Sequence, residues 1–232
     1  MTTKVIIGAD TGIAHAIALA LHERGDDVLA ATLGDGSDLE AKGIAVEPHT
    51  DVTSDEAVAR LAKRVESDDL QISWLVHVAG VMFLDTLDTV DYEDVRRQFE
   101  INTIGPLRTI RALRDRLTSD AKVGIFTSRV GSLNDNTSGA DYAYRISKAA
   151  ANMVARNLSV DLGKQGVAVQ ALHPGLVNTN LLDVMNPEDK ERAASVLVTP
   201  ESAAAGVISV LEQLTVESAG QFQHGNGTIL PW

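Results

Sequence analysis

Short runs rich in β-branched and apolar residues alternate with helical apolar patterns from one end of this 232-residue chain to the other. That alternation restricts the fold more than any other feature. Parallel strands need crossover connections, helices supply them, and the helices then cover the sheet on both faces. The pattern predicts an α/β protein with a doubly wound, mostly parallel sheet. Strands are expected near 3–8, 27–32, 44–47, 72–78, 121–127, 166–172 and 220–223, seven in all.

The intervening segments carry helix signals. Ile13, Ala16, Ile17, Ala20 and Leu21 form one apolar stripe, which Gly25 stops. Thr53 with Glu56 makes a capping-box pattern ahead of Val58, Leu61, Ala62 and Val65, and Thr199-Pro200 opens a helix carrying Ala204, Val207, Ile208 and Leu211. No repeat, low-complexity tract or long linker interrupts the series, so residues 1–232 are expected to form a single domain. An apolar content of 44% suffices for one core.

Charge and composition narrow the function. With 20 Lys and Arg against 32 Asp and Glu the formal charge is −12, without a basic patch, so nucleic acid is not an expected partner. The absence of cysteine excludes disulfides, a thiolate nucleophile and Cys-ligated zinc, and no metal site is expected. Met1-Thr2-Thr3-Lys4 runs straight into a short strand without a signal-peptide pattern, and no apolar stretch approaches a membrane span. These features predict a soluble cytoplasmic protein with no membrane partner.

The first strand ends in Gly8-Ala9-Asp10-Thr11-Gly12-Ile13-Ala14 and becomes a helix, where backbone N–H groups and the helix N-terminus can hold a pyrophosphate. Downstream, Tyr144 and Lys148 stand four residues apart, on one face of a helix. A free phenol titrates near ~10, so a tyrosine acting as acid or base at neutral pH needs positive charge nearby, which Lys148 and an oxidised nicotinamide would supply. Ser128 follows the apolar strand Val123-Gly124-Ile125-Phe126-Thr127, at the end that lines the crevice of such a sheet, where its hydroxyl can stabilise a developing alkoxide. Asn102 lies four residues before Pro106, which has no N–H to give the Asn102 carbonyl; an ordered water bridging toward Lys148 would satisfy that carbonyl. Taken singly, each signal has an ordinary structural explanation: a glycine turn, a surface Tyr–Lys pair, a capping serine, a kinked helix.

Together, Gly8, Gly12, Asn102, Ser128, Tyr144 and Lys148 stand in the order and spacing of the short-chain dehydrogenase/reductase family, which the chain resembles over essentially its whole length. The resemblance implies a Rossmann-type fold and hydride transfer between a nicotinamide dinucleotide, NAD(P), and a small or medium carbonyl or alcohol substrate. It implies Tyr144 as general acid/base, Lys148 as ribose binder and pKa modifier, Ser128 as oxygen stabiliser, Asn102 as holder of a relay water, and Thr179 as a contact of the nicotinamide amide. Beyond Tyr144 and Lys148, the implied cofactor contacts are Gly8, Asp10, Thr11, Gly12 and Ile13 in the turn, Leu33 after the second strand, and Asp51 and Val52 facing the adenine. Ala79 and Gly80 after the fourth strand, and Pro174, Gly175, Val177 and Thr179 after the sixth, complete the set. The tail Ser218-Ala219-Gly220-Gln221-Phe222, the ending Gly227 to Trp232, and Arg129-Val130-Gly131-Ser132 are similar to the C-factor-like carbonyl reductase subgroup.

The chain departs from the family around the cofactor. Ile7 replaces the usual Thr, Ala14 the third glycine, and His77-Val78 the usual Asn-Asn. Histidines near strand ends are more often satisfied structural residues, and His77 and His173 are read so, with a functional role left open. After Ala31-Thr32-Leu33-Gly34 there is neither an acid to grip a ribose diol nor an arginine for a 2′-phosphate, while Asp10, Asp35 and Asp38 cluster nearby. Cofactor choice therefore leans to NAD(H), against the subgroup's expected NADPH. The alternative function is a dinucleotide-binding sensor with little turnover, motivated by the altered turn and weighed against by the complete tetrad. A hydrolase with Ser128 as nucleophile and His173 as base would leave the Tyr144–Lys148 spacing a coincidence. Ala149, Ala150, Ala151 and Ala155 with Met153 and Val154 suggest close helix contact in a homo-oligomer, a dimer or tetramer. Leu181, Leu182, Val184 and Met185 before the charged stretch Asn186–Arg192 suggest a lid near 180–198 over a largely apolar substrate, with Pro187 starting a short helix whose positive end Glu188 and Asp189 favour.

Overall fold

A computed structural model of the chain describes residues 2–185 and 187–232, all but the side chain of Asp189. Asn186 and that side chain, both part of the expected lid, lie outside the described residues. The first half runs β1 (Thr2–Ile7), α1 (Gly12–Glu23), β2 (Val28–Ala31), α2 (Ser37–Glu40), β3 (Ala45–Glu47), α3 (Asp55–Ser67) and β4 (Gln71–His77). Then follow α4 (Tyr92–Phe99), a π-helical segment (Glu100–Ile104), α5 (Gly105–Leu113), β5 (Leu117–Phe126), α6 (Tyr142–Gly163) and β6 (Ala168–His173). The chain closes with α7 (Pro187–Ala193), α8 (Pro200–Gln213), β7 (Phe222–His224) and β8 (Ile229–Leu230).

All strands form one sheet in the order β3-β2-β1-β4-β5-β6-β7-β8. Every pairing is parallel except β7 with β8. The chain builds outward from β1 in one direction, then returns to β4 and builds in the other, so the connections leaving β1 and β4 diverge and open a crevice at their C-terminal ends. Side chains alternate across the strands. Ile6 and Val76 face α1 and α8, against Ile17, Leu21, Val207 and Leu211. Val5, Ile7, Leu75 and Val169 face the opposite helices, against Leu61, Ile110 and Ala155. The apolar character of β4 and β6 and of the C-terminal halves of β1 and β5 follows from burial on both faces.

Several local readings change. The sheet has eight strands rather than seven: β8 is two residues long, too short for a periodic signal, and returns antiparallel through a turn containing Asn226-Gly227, a dipeptide that favours tight hairpins. The cap of α3 is Ser54, whose hydroxyl accepts from Ala57 N, not Thr53, which instead bonds the Asp51 carboxylate. Gly25 ends α1 with φ +87° and Thr199 caps α8, both as expected. On α6, Ala151 and Ala155 are buried in the core, so the small-residue face read as a subunit contact belongs partly to the sheet packing. Besides Tyr142 at its start, that helix exposes Ile146, Met153 and Val160, seven positions apart and hence on one stripe. Among the described residues no helix is long and apolar enough to cross a membrane.

Candidate active site

Connections leaving β1, β4 and β6 meet at the C-terminal end of the sheet, and glycines let them touch. Gly8 has φ +86°, a conformation L side chains rarely adopt, and a Cβ there would lie 2.7 Å from Ala79 N and 2.8 Å from Ala79 Cα. A Cβ on Gly12 (φ +62°) would lie 3.0 Å from Thr179 Cγ2. At the start of α1, Thr11 makes no side-chain cap and the first turn holds no acid, which leaves the positive end of the helix to an outside anion. These residues fit a dinucleotide: the glycines keep side chains out of the place where a pyrophosphate approaches backbone.

The loop after β4 is held by two amides four residues apart. Gln98 Oε1 accepts from Phe83 N at 3.1 Å and its Nε2 donates to Phe83 O at 3.2 Å. Asn102 repeats the pattern on Val81, accepting from N and donating to O, both at 2.9 Å. Asn102 Nδ2 also donates to Ser147 Oγ at 3.0 Å, and Ser147 in turn donates to Tyr144 O at 2.7 Å. Asn102 sits in the π-helical segment, which gives way to α5 at Gly105-Pro106, where proline supplies no N–H. Asn102 thus ties the β4 loop to the helix bearing Tyr144 and Lys148, a task the sequence reading did not give it.

Ser128, Tyr144 and Lys148 are brought together and buried, at 9%, 7% and 4% exposure. Gly131 makes this possible: a Cβ there would lie 2.7 Å from the Lys148 carbonyl carbon, so the turn after Ser128 packs directly on the α6 backbone. Gly80 does the same from the other side, since its Cβ would lie 2.9 Å from Asn102 Oδ1 and 3.3 Å from Lys148 Nζ. Lys148 Nζ donates to Phe126 O at 3.1 Å and stands 5.6 Å from the centre of the Tyr144 ring. Asp85, which the sequence reading missed, caps α6 by accepting from Tyr142 N at 2.5 Å and Ala143 N at 3.0 Å. An acid a few residues beyond Gly80 was its only sequence trace.

Burial pushes the Tyr144 phenol up to about 12, partly offset by a hydrogen bond from Ser128. The expected lowering by Lys148 does not figure in the shift, whose opposing cause is Ser128 alone; burial takes Lys148 itself down to about 8. The phenol therefore holds its proton at neutral pH, as an acid for carbonyl reduction must. Neither histidine is satisfied as expected. His77 Nε2 and His173 Nδ1 are buried without a partner. Burial, then the Lys148 charge, lowers His77 to about 3; burial, then His224 and Arg129, lowers His173 to about 4. His173 packs edge-on to His224 at 5.0 Å.

The remaining expected contacts border the same crevice. Asp10 accepts from the N–H groups of Leu33 and Gly34. The Asp51 carboxylate is engaged by Thr53, and Val52 O accepts from Arg108. After Pro174 and Gly175 (φ +97°), Val177 bridges to Val198. That bridge closes the base of an excursion containing a turn of 3₁₀ helix, Asn180–Val184, and α7, which begins at Pro187 as expected. Leu182 is buried, whereas Leu181 and Val184 are exposed.

Comparison with known proteins agrees with this fold. A family model described as enoyl-(acyl carrier protein) reductase matches residues 8–210. The chain is 55% identical, over all 232 residues and the full length of both chains, to 1-hydroxy-2-glutathionyl-2-methyl-3-butene dehydrogenase of Rhodococcus sp. (strain AD45). It is 42% identical to the C-signal protein of Myxococcus xanthus over 161 residues, 68% of this chain and 91% of that one. Among solved structures, NADPH-bound carbonyl reductase from chicken fatty liver superposes with a TM-score of 0.88 at 25% identity, covering 100% of this chain and 94% of that one.

The buried histidine gives a pH dependence of known sign. Because the His77 pKa falls from 6.5 unfolded to about 3 folded, the unfolded chain binds a proton that the folded protein does not, so stability falls as pH drops from 6.5 toward 3. Urea midpoints should decrease over that interval in the wild type and decrease less in His77→Gln. Equal slopes in the two proteins would remove His77 from the acid sensitivity.

Proposed function

We propose, from the premise that this chain belongs to the short-chain dehydrogenase/reductase family, that it is an NAD(P)-dependent oxidoreductase interconverting the carbonyl and alcohol forms of a small-molecule substrate. The observation that carries the reading is the burial of Ser128, Tyr144 and Lys148 together beside the glycine-lined crevice. The nicotinamide, when bound, supplies or accepts the hydride. Gly8, Gly12 and the start of α1 would hold its pyrophosphate, and Pro174, Gly175, Val177 and Thr179 would flank its nicotinamide end.

In reduction, the Tyr144 phenol gives its proton to the substrate oxygen as negative charge develops there, and Ser128 donates a hydrogen bond to the same oxygen. In oxidation the proton moves from the alcohol to Tyr144. Lys148, held by the Phe126 carbonyl, binds the ribose and places positive charge beside the phenol. The Asn102 carbonyl, denied a partner by Pro106, holds a water that passes the proton outward past Lys148. The complete tetrad favours turnover over a sensor role.

The full-length identity to a dehydrogenase named for a glutathionyl-substituted alcohol makes such thioether alcohols the first substrates to assay, beside plain apolar ketones. The excursion pinned at Val177–Val198 acts as a lid of the single domain, with Leu181 and Met185 facing the substrate across from Val81, Met82 and Phe83. The chain works as a cytoplasmic homo-oligomer that uses the Ile146–Met153–Val160 stripe.

Tyr144→Phe should keep dinucleotide affinity in calorimetry while kcat falls by about 10²–10⁴-fold, whereas Lys148→Ala should weaken both; near wild-type turnover in Tyr144→Phe would remove its role. Leu181→Ser with Met185→Ser should raise KM for apolar ketones without moving Tm. A fall in Tm with KM unchanged would assign those side chains to the core. Light scattering should give a mass above 24.7 kDa, and Met153→Glu should lower it; a 24.7 kDa wild-type species would reject assembly.

A further inference from the structure

The end of β2 carries an anion site that the chain fills with its own side chain. The N–H groups of Leu33 and Gly34, on consecutive residues, both point at the Asp10 carboxylate, at 2.9 Å and 2.7 Å. Paired backbone N–H groups of this kind bind anions, including phosphate oxygens. Gly34 presents no side chain to screen the carboxylate: a Cβ there would lie 3.2 Å from Asp10 Oδ1. Asp10 itself stands in the turn between Gly8 and Gly12, two residues beyond the point where the β1 and β4 connections touch.

The other charges in this corner are committed elsewhere. Asp35 accepts from the Ser37 N–H and hydroxyl, and Asp38 pairs with His15 at 2.7 Å. Neither residues 8–16 nor residues 31–41 include a lysine or arginine. A carboxylate has about four lone-pair sites, and the two backbone donors leave the rest of them for other donors. A vicinal ribose diol offers two O–H donors. A 2′-phosphate would offer only negative charge, to a place whose N–H groups are already taken by a carboxylate.

From this we infer that Asp10 sets cofactor choice: its carboxylate accepts hydrogen bonds from the adenosine ribose hydroxyls of NAD(H) and, by occupying the Leu33–Gly34 N–H pair, excludes the 2′-phosphate of NADP(H). The inference rests on the dinucleotide reading above and sharpens it. It separates this chain from the chicken carbonyl reductase, which is described with NADPH bound. The acid that selects the ribose then comes from the glycine turn rather than from the end of the second strand, where such acids are usually sought. Leu33, 63% exposed, is the neighbouring position from which a cation would reverse the choice.

Calorimetric titration of NADH and NADPH tests this without any substrate. The wild type should bind NADH at least about tenfold more tightly than NADPH, a little above the bulk-water scale of one like-charge contact and below its near-surface scale. Asp10→Asn, which keeps the size and one acceptor oxygen but removes the charge, should close most of that gap. Leu33→Arg, which leaves the Asp10 side chain and the glycine turn in place, should shift the ratio of NADH to NADPH affinity toward NADPH, and it carries the test should the Asp10 variant fail to fold. A wild type that binds the two equally or prefers NADPH overturns the role of Asp10 and leaves the dinucleotide reading intact, as does a ratio unmoved by the substitutions. Binding of neither cofactor overturns both.

Discussion

The site is organised around one costly demand, the burial of the Lys148 ammonium. An amine taken out of water loses hydration that protein groups must replace, and Lys148 has the Phe126 carbonyl at 3.1 Å as its hydrogen-bond acceptor. Its lowered pKa records the incomplete compensation. Two glycines clear its path. Gly131 admits the α6 backbone against the turn after Ser128, and Gly80 leaves room for the ammonium beside Asn102. A methyl group at either position would displace the lysine or the amide that holds the neighbouring loop. The same unmet polarity reaches His77, whose buried Nε2 lacks a partner and whose imidazole is kept neutral partly by the Lys148 charge.

Around that demand, hydrogen bonds tie the loop after β4 to α6. Gln98 and Asn102 grip the loop after β4 through four hydrogen bonds to Val81 and Phe83, Asp85 from the same loop caps α6, and Thr103 Oγ1 donates to Ser147 O at 2.8 Å. Tyr144 is therefore positioned from three directions. Across the crevice, the excursion after Thr179 is closed at its base by the bridge between Val177 and Val198, and its Leu182 is buried.

Much of this was legible in the sequence because the signals were periodic or chemically restrictive. The seven longer strands follow from apolar runs, and Ser128, Tyr144 and Lys148 from spacing that a helix and a strand end convert into proximity. What stayed hidden depends on tertiary contact. No pattern in the chain announces that Gln98 and Asn102 pair with alternate residues of a loop, or that Asp85 caps a helix beginning 57 residues later. The cap of α3 was displaced by one residue because Thr53 and Ser54 are both good caps and the Asp51 carboxylate claims the first. An electrostatic lowering of Tyr144 by Lys148 was expected from distance along a helix; instead burial, which sequence does not measure, raises the phenol, and the opposing cause is the Ser128 hydrogen bond.

The central claim is that this crevice joins a nicotinamide ring to a carbonyl carbon with Tyr144 as the proton donor. Mass spectrometry of the alcohol formed with NADH deuterated on the transferred position of the ring tests it most directly. The account predicts one deuterium per molecule on the carbinol carbon, at a rate that collapses in Tyr144→Phe. An alcohol carrying no deuterium, or none formed from any carbonyl while the cofactor binds, would contradict it.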